Sequence, residues 1–388
     1  MTRAPLRGPV LLAPDKFKGT LDAEEVAACL AEGLRRAAPG LDVRTVPVAD
    51  GGDGSVAAAL RAGYRSRPVR VRGPVGDPVE TRIALRGSTA IIEIAEVCGL
   101  GRLPEGRRAP LTATSHGVGE AVLAALDAGA TTVVIALGGS ATTDGGAGLL
   151  SALGARLTDA TGCPVGPGGG NLADLAAVDL SGLDRRLAGI DLLLASDVDN
   201  PLLGPHGAAH TYGPQKGAGP ADVERLEAAL NRLVTVLSQD GRLPGGRRVA
   251  AREIASTPGA GAAGGLGFAA LVLGAVPRPG ADFFLRLLDF DRALAGARLV
   301  VTGEGALDAQ SLRGKAPVAV ARRAAAAGLP AVAVVGACAL PADQWRAAGL
   351  AEVHALIDLD PACARSPALT ARLLEHLGHR LATEPPPT

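Results

Sequence analysis

Acidic side chains stand at the ends of apolar runs throughout this sequence. "PVLLAP" ends in Asp15, "VRTVPVA" in Asp50, "DLLLAS" in Asp197 and "ARLVVTG" in Glu304. A carboxylate in such a place can take a proton from a hydroxyl, hold a hard cation or orient a sugar-like alcohol. Beside Asp15, the stretch "APDKFKGTL" brings Lys16 and Lys18, whose ammonium groups suit phosphate oxygens or a substrate carboxylate. In "VADGGDGS", Asp50 and Asp53 flank two glycines, a spacing that lets both meet one cation or one hydroxyl, with a plain Asx turn as the alternative. The loop "ASDVDNPLLGPHGAAHTYGPQKGA" carries Asp197, Asp199 and Asn200, an oxygen set fit for magnesium, followed by His206, His210 and Lys216. Its histidines read as solvated loop residues rather than ligands. "VVTGEGALDAQSLRGKAP" supplies Glu304, Asp308, Arg313 and Lys315, with room for a base, a metal ligand or a ribose-binding acid. Its "RGKAP" imitates a phosphate-loop lysine, but the required upstream glycine is missing and Ala316 stands where a Ser or Thr would bind magnesium.

Glycine marks a second kind of strand end. "LGGSATTDGGAG", directly after "TTVVIA", holds Gly138, Gly139, Ser140, Thr142, Thr143, Asp144, Gly145 and Gly146. Such a loop before a helix exposes backbone N–H groups to an anion, and the alcohols add donors. Asp144 can hold a magnesium ion or cap the helix that follows. Close strand-to-helix packing is the plainer account of the glycines. "GAGAAG" (259–264) matches a dinucleotide fingerprint literally, but "REIASTP" before it is no buried strand, so it reads as a glycine-rich loop entering a helix.

The elements that must position these groups are β-branched runs alternating with helical patterns, the mark of an α/β protein whose strands are mostly parallel. Ligands of such sheets bind at the carboxyl ends of the strands. Asp22 and Glu25 form a capping box, with Leu21 and Val26 as its hydrophobic staple, at the start of "EEVAACLAEGLRRA". Between about 66 and 110 the texture changes to antiparallel ribbon. Ala324–Ala342 is uncharged over nearly the length of a membrane span, but Pro330 and Pro341 make it a helix end, a turn and the strand "AVAVVG". The 155–190 and 240–265 stretches read as Gly- and Pro-rich loops, and "TEPPPT" as a disordered tail.

At 388 residues the chain can build two domains. Its 39 basic and 39 acidic residues cancel, which leaves no footprint for nucleic acid or an anionic membrane and points to a small-molecule partner. Five scattered cysteines without a CxxC pair disfavour a disulfide framework and a zinc knuckle, and fit a cytoplasmic protein. The apolar stretch near the N-terminus is too short for a signal peptide. Oligomeric state leaves no mark in the sequence.

Taken together, "APDKFKGTL", "VADGGDGS", "TATSHGVGE", "ALGGSATTDGGAG", "ASDVDNPLLGPHGAA", "YGPQKGA", "GAGAAGGLGF" and "VVTGEGALDAQSLRGKAP" resemble, in this order, the glycerate kinases of the bacterial glycerate 2-kinase type. The resemblance implies ATP-dependent phosphorylation of D-glycerate to 2-phosphoglycerate, or to 3-phosphoglycerate, with magnesium. It also implies two α/β domains with an active cleft between them. One is Rossmann-like or flavodoxin-like, with a mostly parallel sheet, formed from residues 1–70 and 285–388; the other is an inserted mixed-sheet domain, 71–284. Lys16 stands where many relatives carry serine, Thr143 where asparagine is frequent and Asp53 where glutamate is usual.

For such a kinase, the expected catalytic residues are Asp197, Glu304, Asp308 and Lys18. The Gly138–Gly146 loop, with Ser140, Thr142, Asp144 and Gly145, would receive the nucleotide phosphates together with Lys16. Arg313, Lys315, Asp50, Asp53 and Lys216 would bind glycerate, and Asp197, Asp199 and Asp50 the metal. An NAD-dependent oxidoreductase and a non-catalytic sugar-acid sensor are the alternative readings on the same fold.

Overall fold

A computed structural model of the chain describes residue 6 and residues 8–384. Residues 1–5 of the segment read as too short for a signal peptide, and 385–388 of the tail "TEPPPT", lie outside the described residues. The chain forms two compact units, one from the residues up to Asp50 and from Pro279 onward, the other from Gly51–Arg278. Numbered along the chain, the strands of the first are β1 (Val10–Pro14), β2 (Val43–Thr45), β11 (Leu299–Leu307), β12 (Ala331–Cys338) and β13 (Glu352–Ala355). Those of the second are β3 (Arg65–Arg72), β4 (Pro78–Arg86), β5 (Thr89–Glu93), β6 (Thr132–Ala136), β7 (Arg156–Thr158), β8 (Ala177–Asp179), β9 (Asp191–Ala195) and β10 (Val276–Arg278).

In the first unit the sheet order is β13-β12-β11-β1-β2, with every neighbouring pair parallel. Strand side chains alternate between faces, and here both faces are apolar because both are covered. Val10, Leu12, Leu299, Val301, Val332 and Val334 enter one core with helices Ala23–Ala37 and Pro367–Thr383. Leu11, Ala13, Val300, Ala333 and Val335 enter the other with helices Gly280–Leu287 and Ala316–Ala326. The capping box forms as read: Asp22 accepts from the Glu25 amide and Glu25 from the Asp22 amide, both at 2.8 Å. Taken in order of appearance, the strands lie 2-1-3-4-5, a doubly wound arrangement whose direction of growth reverses between β1 and β11. Ligands of such sheets bind outside the carboxyl ends of the strands at that reversal.

The second unit has a six-stranded mixed sheet, β10-β9-β6-β5-β4-β3. β5, β6, β9 and β10 are parallel, while β3, β4 and β5 form the antiparallel ribbon. Ile83, Ile92, Ile135 and Leu194 build its core with helices His116–Asp127, Pro220–Asp240 and Ala262–Val272. Its joins with the first unit fall earlier than the 70/71 and 284/285 positions read from sequence. Helix Ser55–Arg61 is held to β5 by Glu93, and Ala281 and Leu285 pack in a core of the first unit. Residues Ala324–Ala342 divide, as read, into a helix end, a turn and β12. Among the described residues, no helix is long and apolar enough to cross a membrane.

Candidate active site

The reversal point of the first unit gathers a lysine and three acids. Asp15 follows β1 directly, its amide donating to the Gly303 carbonyl of β11 at 2.8 Å, and Glu304 is the next residue on that strand. Val46 and Val48 continue the path of β2 beside β1 through bonds to Leu12 and Pro14, which delivers Asp50. Lys16 Nζ lies 3.4 Å from Asp15 and 3.6 Å from Asp50. Asp15 is 5% exposed and Glu304 8%. Burial pushes Asp15 up to about 7, against the Lys16 ammonium, while Asp50 adds to the rise. It pushes Glu304 up to about 8, opposed by the Ser311 hydroxyl and Lys315 and assisted by Asp15 and Asp50. One oxygen of Glu304, Oε1, is buried without a hydrogen-bond partner. This is the geometry of a carboxyl group that exchanges a proton near neutral pH.

The other sequence candidates of this unit divide by what they already do. Lys18 is exposed on the loop that crosses β11, where its amide would lie 3.2 Å from a Cβ at Gly305. Lys315 is half-buried at the start of helix Ala316–Ala326, its Nζ 3.3 Å from Gln310 Oε1, and Arg313 is exposed nearby. Asp308 is committed to a turn: it accepts from the amides of Gln310 and Ser311, and its own amide donates to the Ser311 hydroxyl.

In the second unit, the glycine loop after β6 is mostly sealed. Ser140, Thr142, Thr143 and Asp144 are at most 5% exposed. The Asp144 carboxylate accepts from the amides of Ser115 (2.8 Å), Gly146 (3.1 Å) and Gly148 (3.2 Å) and from the Ser115 hydroxyl (2.9 Å). The anion at these helix-start amides is therefore the protein's own side chain, and of the two roles read for Asp144 the cap is the one it fills. Gly145 and Gly146 take φ of 62° and 74°, and Gly146 also leaves no room for a Cβ against Ala269.

Lys216, 2% exposed, donates from Nζ to Ser140 Oγ and the Thr142 carbonyl, which ties it to this loop. Burial brings it down to about 8, with Cys98 and Asp144 resisting. Gly138 and Gly139 remain half-exposed. The "GAGAAG" loop packs on the same region: a Cβ at Gly264 would lie 1.9 Å from the Thr142 carbonyl oxygen. Its glycines thus serve backbone contact and form no dinucleotide turn.

Strand ends of this unit meet the 51–54 turn. A Cβ at Gly51 would strike the Ala195 carbonyl, one at Gly138 the Gly52 Cα, and one at Gly139 the Asp53 Oδ1. Asp197 is half-buried and Asp199 exposed just beyond β9. Asn200, read as a third oxygen ligand, is engaged inside its loop with the His206 carbonyl and the Tyr212 hydroxyl. His210, read as a solvated loop residue, lies instead in the short helix Ala208–Tyr212, half-buried and facing Glu224 and Glu227. Sequence reasoning gave no role to Glu93 or Ser115. Glu93 had a visible signal, since in "TAIIEIAEV" it is a lone acid at the end of an apolar run, like its counterparts.

Among the described residues, no three His, Cys, Asp or Glu side chains gather as a metal cage. Magnesium needs none, because it is held by one or two carboxylates with substrate phosphates and water. Asp197 and Asp199 present oxygen donors alone, which suits a hard cation.

Comparison with known proteins adds to this geometry. The sequence model of the Glycerate kinase family matches residues 10–384. The chain is 42% identical over 332 residues to a glycerate kinase of Bacillus subtilis (strain 168), covering 84% of each chain. It is 41% identical over 331 residues to the glycerate 2-kinase of Escherichia coli (strain K12), again with 84% of each covered. A crystal structure from Salmonella typhimurium LT2, assigned as a glycerate kinase 2, superimposes with a TM-score of 0.75 at 37% identity, covering 97% of both chains. With carboxylates at the reversal point of a doubly wound sheet and family-wide similarity along nearly its whole length, the chain belongs to the glycerate kinase family.

Proposed function

We propose that this enzyme transfers the γ-phosphoryl group of ATP to the 2-hydroxyl of D-glycerate, giving 2-phosphoglycerate and ADP. The observation that carries the reading is Glu304, a buried carboxyl group at a strand end with a pKa near 8 and an unpartnered oxygen. A base of that strength accepts the proton of an attacking alcohol without being fully neutralised at working pH. As the alcohol oxygen bonds to the γ-phosphorus, the bond to the β,γ-bridging oxygen breaks, and Glu304 takes the hydroxyl proton. Glu304 serves better here than Asp308, whose oxygen is spent on its turn.

Lys315, with Arg313, holds the glycerate carboxylate, and Asp50 and Asp53 orient its hydroxyls. Lys18, Lys16 and the half-exposed Gly138–Gly139 turn receive phosphate oxygens, while Ser140, Thr142, Asp144 and Lys216 keep that turn in shape from beneath. Magnesium, held by Asp197 with Asp199 or Asp50, would offset the negative charge of the transferring phosphate.

The reading is tested by incubating the protein with ATP, magnesium and D-glycerate and following phosphorus NMR. A phosphomonoester resonance matching 2-phosphoglycerate, appearing in step with ADP, is expected. A 3-phosphoglycerate signal would overturn the regiochemistry, and the absence of any phosphoester would overturn the activity.

A further inference from the structure

The turn that carries Asp53 has an unusual anchor. Helix Ser55–Arg61 begins behind Gly54, whose φ of 93° and missing side chain leave the first amides of the helix without a local cap. The cap comes instead from β5: Glu93 Oε1 accepts from the Gly54 amide at 3.0 Å and Oε2 from the Val56 amide at 2.9 Å. Glu93 is 4% exposed, and each of its carboxylate oxygens holds one of those two amides. Burying a carboxylate is costly, but at φ 93° position 54 takes glycine and not a capping Ser or Asp, so the cap has to come from elsewhere in the chain. That cap ties the turn to β5.

What Glu93 adds is registration. In the sheet it pairs with Ala136 of β6, two residues before Gly138, so the strand that holds the turn is the direct neighbour of the strand that leads into the glycine turn. Asp53 Oδ1, buried and without a hydrogen-bond partner, is set against Gly139, where a Cβ would approach it to 2.1 Å.

We propose that Glu93 is the positioning residue for Asp53, clamping the 51–54 turn to the sheet so that the Asp53 carboxylate is held over Gly139 to receive a hydroxyl of the substrate. The proposal rests on the reading of Asp53 as a glycerate ligand. Burial also pushes Glu93 up to about 7, opposed by its two amide bonds and assisted by Glu96 and Asp53, as expected for a carboxylate held where it is needed rather than where it is best solvated.

The test is a double-mutant cycle of Glu93→Gln and Asp53→Asn, read as separate KM values for D-glycerate and ATP. Glutamine keeps one acceptor for the two amides. Each single variant is expected to raise the glycerate KM by about tenfold or more with the ATP KM within about twofold, and the double variant to be no worse than Asp53→Asn. Losses that multiply, or an E93Q enzyme whose two KM values rise together, would overturn the positioning role while leaving Asp53 as a ligand. An Asp53→Asn enzyme with unchanged constants would overturn the reading of Asp53 and the proposal with it. Should Glu93→Gln not fold, amide exchange in the wild-type enzyme decides: saturating D-glycerate is expected to slow exchange at Gly54 and Val56 by about tenfold or more, and unchanged rates would overturn the clamp.

Discussion

Two acids of the first unit have pKa values that make opposite demands on stability and turnover. Glu304 in the folded protein titrates near 8 against an ordinary 4.5, so the fold binds its proton more tightly than the unfolded chain does. Its contribution is therefore fully favourable below pH 4.5 and is lost as pH rises toward 8, where ionisation favours unfolding. Glu304→Gln, which never ionises, is expected to raise unfolding free energy at pH 8.5 by about 1–3 kcal/mol and to change little at pH 5, as thermal or denaturant melts at the two values would show. The same substitution removes the proposed base. Wild-type kcat/KM should climb through pH 7–8 as Glu304 loses its proton, and the variant should be flat there and lower by about 10²–10⁴. A variant that kept the climb would assign it to Asp15. Asp197→Asn belongs at this scale too. Half-buried beyond a strand end, Asp197 contributes little packing, so its loss should cut turnover by about 10²–10⁴ while circular dichroism and melting stay close to wild type.

Helices and loops here are fixed by approaches too close for any side chain. Gly33 and Gly378 lie where helices Ala23–Ala37 and Pro367–Thr383 cross: a Cβ at Gly33 would sit 2.0 Å from the Glu375 carbonyl oxygen, and one at Gly378 2.4 Å from that of Leu30. Gly33→Ala should therefore cost about 1–3 kcal/mol in chemical denaturation, although alanine is the better helix former, whereas Asp22→Ala should cost about 1 kcal/mol through its cap. Only the second effect is legible in the sequence, because a capping box is written within four residues while a helix crossing joins positions more than three hundred apart. The same divide runs through the site. Strand-end acids such as Asp15, Asp50 and Glu304 follow from local pattern, since an apolar run must stop where the sheet meets solvent. That Asp144 caps its own loop, or that Lys216 is buried under it, depends on Ser115 and Gly264 arriving from elsewhere in the chain. Glycines and alcohols next to a strand have the same composition whether they receive a phosphate or a neighbouring backbone.

The second unit leaves and rejoins the rest of the chain at a single strand end. Gly51, its first residue, packs on the Ala195 carbonyl, and Arg278, its last, pairs with Ala195 in the sheet and accepts from the Ser196 amide at 3.2 Å. A segment whose two ends share one anchor can be inserted into a host sheet without stretching it, which is how Gly51–Arg278 lies between β2 and β11 in sequence while those strands flank β1 in their own sheet. Each unit has cores of its own: Leu11, Val300 and Leu12, Val301 lie in those of the first, and Ile83, Ile135 in that of the second. Independent folding is the consequence. The excised fragment Gly51–Arg278 should melt cooperatively on its own. So should residues 1–50 joined to 279–388 by a short Gly/Ser linker, each followed by far-ultraviolet circular dichroism and calorimetry. The fragment lacks Asp15 and Glu304 and should transfer no phosphoryl group to glycerate. It keeps Gly138, Gly139 and the network of Asp144, Ser115 and Lys216 that shapes them, and should retain measurable heat of ADP binding by titration calorimetry. A cooperative fragment that gives no such heat would remove the glycine turn from the phosphate site, and a fragment without a cooperative transition would show that the closed core of this unit is not sufficient for its fold.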